Sequence, residues 1–184
     1  MSVVAGIDGW VVAAVTGEQP CGYAPTDWLR AELPASGEAA GGGVSITVET
    51  RLHAGGMMPW ALLGARFEGS MGEILQVEVG HTADWKPGAE PSCQGPLGRP
   101  LVPALPLELA RGAVAGLTTC DEPLPLGRVT VAAAGYDDVD SSFHSFDQAA
   151  YILRLLLPIP IRGDTLTKAA LQAAIERCAS AGRY

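Results

Sequence analysis

The sequence predicts an α+β fold in which helices pack on one face of a single mixed β-sheet. Three early segments have the apolar content or alternation of strands: residues 44–52, 60–67 and 73–79. Two later segments, residues 105–117 and 141–157, repeat their apolar residues at the spacing of an amphipathic helix. A β-branched run at residues 129–133 separates these two helices. The order strand–strand–strand–helix–strand–helix is typical of a sheet covered by helices on one side.

Composition and charge narrow the class of protein. The chain has 184 residues, of which 48% are hydrophobic and 17% are charged, and this balance is typical of one globular domain. The formal net charge is −8. Because an acidic surface repels phosphate, direct binding to nucleic acid is not expected. Residues 1–16 are apolar but lack a basic start and are interrupted by Asp8-Gly9. No signal peptide or membrane span is therefore expected, and the predicted location is the cytoplasm.

The N-terminal part is predicted to be an appendage to a main body. Two apolar runs within residues 3–15 flank Asp8-Gly9, a pair that suits a type I′ turn, so a hairpin is expected. Residues 26–33 place apolar side chains at helical spacing after a threonine N-cap and predict a short helix. The small residues at 38–43 indicate a linker. The predicted division is an appendage at 1–43, a body at 44–160 and a C-terminal helix within 161–184.

The rest of the body contains a long loop and a final helix. Residues 84–101 are rich in proline and glycine and predict a surface loop. Pro158 and Pro160 are expected to end the helix at 141–157. Residues 164–178 then predict a last amphipathic helix.

The cysteines and histidines do not predict a metal site. The four cysteines are Cys21, Cys93, Cys120 and Cys178. No pair has the C-x-x-C spacing of a zinc site, so buried or idle thiols are predicted, and nothing requires an oxidising compartment. His53 and His81 occur singly at strand ends, which favours ordinary surface histidines over ligands.

The residues from 138 to 149 suggest two kinds of chemistry that their spacing does not support. Asp138, Asp140 and Ser142 begin like an EF-hand loop, but the positions that need glycine and glutamate hold phenylalanine and alanine. Asp140, Ser142 and His144 include the residue types of a hydrolytic triad. Residues that lie two positions apart at the start of a helix do not form the collinear Ser–His–Asp chain of hydrogen bonds that such a triad needs. The simpler interpretation is that Ser142 caps a helix whose N-terminus is favoured by the nearby carboxylates.

Residues 129–150 carry a run whose identities and spacing are shared with a known family. The shared residues are Val129-Thr130-Val131, Gly135-Tyr136, Val139-Asp140-Ser141-Ser142, Phe146 and Ala149-Ala150. This run resembles domain IV of elongation factor G, the ribosomal translocase, which has a strand ending V-T-L, a tyrosine, V-D-S-S and a helix with F and A-A. Residues 48–51 resemble the opening strand of that domain. Residues 58–61 look similar to the same domain of tetracycline ribosomal protection proteins.

The resemblance, which covers residues 44–157, implies a ribosomal protein S5 domain 2-like fold with a left-handed β-α-β crossover. In the translocases this domain is a non-catalytic lever whose tip loops enter the decoding site. The tip and contact positions implied here are Met57, Met58, Pro59, Trp60, Tyr136 and Asp137, the last standing where the family has histidine. The scaffold positions implied by the motif are Val139, Asp140, Ser141, Ser142 and Phe146.

The sequence therefore predicts a non-catalytic protein that acts through protein or ribosome contacts and uses no cofactor or metal. It contains no G-x-x-x-x-G-K-[ST] phosphate loop, so no accompanying GTPase is expected. The bulky residues at 57–60 pack in the core or, if exposed, form a protein-binding surface. Two alternatives stay open, an oligomeric interaction domain and a small-molecule enzyme on the same fold. The ionisable candidates for the enzyme are Glu49, Arg51, Asp137, Asp138 and Asp140.

Overall fold

The computed structural model describes residues 2–36, 42–53, 56, 58–70, 73–82 and 88–183. The strands are β1 (Ser2–Ile7), β2 (Trp10–Thr16), β3 (Asp27–Pro34), β4 (Gly43–Leu52), β5 (Trp60–Gly69), β6 (Ile74–His81), β7 (Cys93–Gln94), β8 (Pro100–Pro103) and β9 (Gly127–Tyr136). The helices are α1 (Leu107–Thr119), α2 (Phe143–Leu156), α3 (Pro158–Ile161) and α4 (Lys168–Ser180).

The strands form one sheet in the order β1-β2-β4-β5-β9-β6-β3, with β8 paired to the end of β9 and β7 paired to β8. Strands β6 and β9 run parallel, and α1 lies between them in the chain. The other strand pairs are antiparallel. The predicted α+β class with a single mixed sheet is confirmed.

The hairpin predicted at the N-terminus is confirmed. Strands β1 and β2 pair with Ile7 opposite Trp10, which leaves a two-residue turn. Asp8 and Gly9 both have positive φ, of 46° and 86°, as a type I′ turn requires. The two short predicted runs extend to full strands because β2 also pairs with β4 along its whole length.

The helix predicted at residues 26–33 is wrong. These residues form β3, which pairs antiparallel with β6 from Asp27 opposite His81 to Pro34 opposite Ile74. The alternating residues Leu29, Ala31 and Leu33 pack against the core, so the apolar side chains fit a period of 2 as well as a helical period. Pairing with β6 supplies partners for a row of backbone groups, and this outweighs the weak local preference for a helix.

The helices cover one face of the sheet. Helix α1 packs on β3 and β6, α2 on β4 and β5, and α4 on β1 and β2. Ser142 caps α2 through a reciprocal capping box with Ser145, as the sequence predicted for a cap near this position. Helices α1 and α2 approach closely at Gly116, where an added side-chain carbon would overlap the carbonyl oxygen of Asp147. Helix α2 ends at Leu156, as Pro158 predicted, but Pro160 lies inside the single turn of α3 that follows at once.

Side chains of β5 point alternately to two different cores. Ala61 and Leu63 belong to the main core under the helices. Trp60 and Leu62 face the other side of the sheet, where they form a small second cluster with Cys21 and Leu101. The second cluster lies under residues 88–101, for which the sequence predicted only a surface loop.

A disulfide between Cys21 and Cys93 fastens this covering segment. The prediction of idle or buried thiols is therefore wrong for Cys21 and Cys93, and it is confirmed for Cys120 and Cys178, which are free and buried. The partners are 72 residues apart in sequence. Such a pair is decided by tertiary proximity, which no local spacing reveals.

The predicted division into appendage, body and C-terminal helix stays a prediction. Strands β1, β2 and β3 are hydrogen-bonded within the same sheet as the body, β1 and β3 at its two edges. Most of the predicted linker lies outside the described residues. None of the described helices is long and apolar enough to cross a membrane.

Candidate contact site at one end of the sheet

The end of the sheet where β4 and β9 finish and β5 begins brings together most of the predicted site residues. The turn at residues 137–141 joins β9 to α2 there. This turn lies against the start of β5, because the Trp60 amide donates to the Asp140 carbonyl at 2.8 Å. The Ser141 hydroxyl also donates to the Trp60 carbonyl at 2.6 Å. We call residues 137–141 the apex turn.

Asp137 organises the apex turn from within. Its Oδ1 accepts hydrogen bonds from the amides of Val139 and Asp140, each at 2.9 Å. Its own amide donates to the Ser141 hydroxyl at 2.9 Å. These local bonds give three amides of the turn a partner and leave the side chain of Val139 pointing outward at the apex.

Arg99 fixes the apex turn from outside. Its Nη2 lies 2.6 Å from Oδ2 of Asp137 and 2.8 Å from Oδ2 of Asp140. Its guanidinium carbon lies 4.9 Å from the ring centroid of Trp60. Burial by itself raises the pKa of Asp137, but the amides of Asp140 and Val139 and the charge of Arg99 more than offset it, so the pKa is lowered. Asp137 is thus held in the charged form that Arg99 requires.

Behind Arg99, Trp60 connects the apex turn to a buried carboxylate. The Trp60 ring nitrogen donates to Oε1 of Glu49 at 2.8 Å, and the Leu97 amide donates to Oε2 at 2.5 Å. Glu49 has no exposed surface. Burial raises its pKa, and the bonds from Leu97 and Trp60 and the charge of Arg51 offset only part of this effect.

We expect Glu49 to titrate above its ordinary value of 4.5 in the folded protein. A raised folded-state pKa means that the contribution of Glu49 to stability is fully present below its unfolded pKa and is lost as pH rises through the folded one. The test is the free energy of unfolding, measured by urea denaturation at steps of roughly one pH unit between about pH 4 and about pH 8. As pH rises through this range, the wild type should lose stability relative to the Glu49→Gln variant. A difference between the two proteins that stays constant with pH would contradict this.

Exposure differs among the predicted contact and scaffold residues, with Pro59 and Asp137 half-buried. Trp60 and Tyr136 are buried, so they support the site and do not present a surface to a partner. Met58 is 40% exposed, and Val139 is 88% exposed. Met57 lies outside the described residues. The sequence placed Val139 only in the scaffold, although an apolar residue between two aspartates in a turn is a signal that could have marked it.

The residues considered for metal binding or hydrolysis have separate structural partners. Asp140 pairs with Arg99, Asp138 accepts from the Gly88 amide at 2.5 Å, and Ser142 caps α2. Over the described ranges, no group of three or more His, Cys, Asp or Glu side chains is placed to hold a metal ion. Arg99 was missed as a site residue, because nothing in its loop indicates that it reaches two aspartates from another part of the chain.

No protein-family model, no curated protein and no solved structure matches this chain. The geometry of the apex turn is therefore the basis for the functional proposal.

Proposed function

We propose that this chain is a non-catalytic binding protein, similar in role to a translation-factor domain IV, that docks on a ribosomal protein surface through Met58 and Val139. The observation that carries the proposal is the exposure of Val139, which is 88%, on a turn that hydrogen bonds and ion pairs hold in place. An apolar side chain of this size gains roughly 1.5–3 kcal/mol when it is buried. A partner that covers it recovers that energy without having to order the turn first.

The contact patch, defined here as Met58 and Val139, is formed by two loops that are bonded to each other. Met58 precedes Trp60, whose amide and carbonyl both bond to the apex turn. Among the described residues, Val4 is the other large hydrophobic residue with comparable exposure, at 48%, and it lies on β1. Two of these three exposed residues therefore lie at the same end of the sheet, as expected of an interaction surface.

The charge around the patch favours a basic protein partner over RNA. Asp137, Asp138 and Asp140 are close to Val139 in the chain, and Arg99 neutralises only part of their charge. With a net charge of −8, the protein repels phosphate at long range. An apolar contact surrounded by carboxylates instead complements a basic protein surface that offers an apolar pocket.

The link to the ribosome comes from the resemblance to domain IV of elongation factor G. Support for it is the element order of the body, β4-β5-β6-α1-β9-α2, which is the predicted order apart from the short β7 and β8. The motif residues Val139 to Ser142 form the strand-to-helix turn, and Phe146 lies in the core. We include in the proposal the ribosomal protein S5 domain 2-like fold that the resemblance implies.

Co-sedimentation with ribosomes at low and moderate salt tests this proposal. Val139→Asp and Met58→Asp should each weaken binding by about tenfold or more, since a charge at a buried anchor removes a hot spot. Val4→Asp adds the same charge to an exposed apolar position on β1 and should bind as the wild type does. Absence of binding by the wild type at both salt concentrations would contradict the ribosomal role. Equal loss in all three variants would contradict the assignment of the patch.

A further inference from the structure

Residues 88–101, which we call the strap, cross the open face of the sheet and carry Arg99. The strap enters β7 at Cys93, turns at Gly98 and returns through β8, where Leu101 is opposite Cys93. Its tip closes over Glu49 through the Leu97 amide. The contacts that hold the apex turn from outside therefore depend on where the strap lies.

The disulfide fastens the strap to a segment that is itself bonded to β9. The Cys21 carbonyl accepts from the Ala134 amide at 3.0 Å, and the Tyr23 amide donates to the Ala132 carbonyl at 3.3 Å. Cys21 has a φ of 62°, a left-handed conformation that is unfavourable for a residue with a side chain. Breaking the bond to Cys93 would remove one constraint that keeps Cys21 in this conformation.

The other two cysteines are poor competitors for a thiol reagent. Cys120 and Cys178 are buried, and desolvation raises the pKa of each thiol, to about 12 for Cys178. Thiolates, not thiols, attack and exchange. Cys93 is half-buried, so it is more accessible to a small dithiol than either free cysteine is.

We propose that Cys21–Cys93 is a reversible thiol–disulfide modification site that controls the order of the apex turn through Arg99. A dithiol reductant attacks one sulfur of the disulfide, the Cys21–Cys93 bond breaks, and a mixed disulfide forms. The second thiol of the reductant then displaces the protein sulfur. Two electrons and two protons pass to Cys21 and Cys93, and the reductant leaves as a cyclic disulfide. In the reduced state the strap loosens, Arg99 leaves Asp137 and Asp140, and the apex turn loses its outer support.

The consequence for partner binding rests on the proposed function, whereas the change in the turn does not. In the reduced protein, part of the binding free energy is needed to order the apex turn. This cost lowers the affinity of the contact patch for its partner. The oxidised chain is accordingly the form that binds tightly, and the reduced chain is the form that binds weakly.

Amide exchange with water, followed by NMR at Val139 and Asp140, tests the inference without a partner. Dithiothreitol should accelerate exchange at both amides by about tenfold or more, as expected when charge-assisted contacts are lost. The resonances of Ile46 and Val48 in β4 should keep their positions, which shows that the sheet stays folded. Unchanged exchange at Val139 and Asp140 would overturn the inference. Loss of the β4 resonances would also overturn it, because the disulfide would then be required for the whole fold.

The variant Arg99→Gln tests whether the disulfide acts on the apex turn through Arg99. In the oxidised state it should accelerate exchange at Val139 and Asp140 as reduction does in the wild type, and reduction should then add little. A full further acceleration by reduction in Arg99→Gln would overturn the role of Arg99. Ribosome binding is measured on the same samples. If exchange responds and no form binds, the proposed function fails and the modification site stands.

Discussion

Replacing Cys21 and Cys93 together with alanine is expected to lower the free energy of unfolding by about 4 kcal/mol. The cross-link joins residues 72 positions apart, so its loss releases a long loop in the unfolded chain and makes that state more favourable in entropy. The second apolar cluster, in which Cys21 packs with Trp60 and Leu62, also loses its cover. Urea denaturation of the oxidised wild type and of the double variant measures the difference.

Cys120→Ala serves as the control for the loss of a sulfur atom without the loss of a cross-link. Cys120 is buried and free, and its replacement should cost roughly 1 kcal/mol through the small cavity it leaves. Reducing the wild type should lower its stability about as much as the double variant does. A double variant no less stable than Cys120→Ala would show that the disulfide does not stabilise the fold.

Phe146→Ala is expected to lower the free energy of unfolding by about 3–5 kcal/mol. Phe146 has no exposed surface and lies in the main core between α2 and the sheet. Its removal leaves a cavity that the close contact of α1 with α2 at Gly116 prevents from collapsing. Urea denaturation gives the size of the loss.

Phe143→Ala is the matched control on the same helix. Phe143 begins α2 and is only half-buried, with its ring edge against His144. The same change of side chain should therefore cost only about 1 kcal/mol. Equal losses at both positions would show that α2 does not present Phe146 to the core in the way described.

These two phenylalanines show what the helical spacing of apolar residues could predict and what it could not. Both belong to residues 141–157, whose apolar residues repeat at helical spacing. The sequence predicted the helix and its serine cap, which are local properties of side-chain spacing and of the first turn. It did not separate the buried ring from the half-buried one, because that depends on how the axis of α2 lies on β4 and β5.

The wrong helix prediction at residues 26–33 has a related cause. Leu29 and Leu33 are compatible with a helix and with a strand, and the segment is short. The choice was made by β6, whose free edge offered partners along its length. Short apolar segments are ambiguous in this way whenever a neighbouring strand is available to pair with them.

The candidate site was predictable in part. The motif at residues 139–142 located the turn, and the aspartates around it indicated a helix start. The contribution of Arg99 could not be predicted, because its contacts with Asp137 and Asp140 span about 40 positions and depend on the course of the strap. The same holds for Glu49, whose partners Trp60 and Leu97 come from two other segments.

The sequence by itself determined the α+β class, the N-terminal type I′ turn, the strands with alternating residues and the capped helix after the apex turn. Each of these follows from residues within a few positions of one another, where backbone preferences and side-chain periodicity decide the outcome. Tertiary structure alone decided that residues 27–34 extend the sheet, that Cys21 meets Cys93, and that Arg99 holds the turn that exposes Val139. These features join segments distant in the chain, and only the closure of the whole fold brings their side chains within bonding distance.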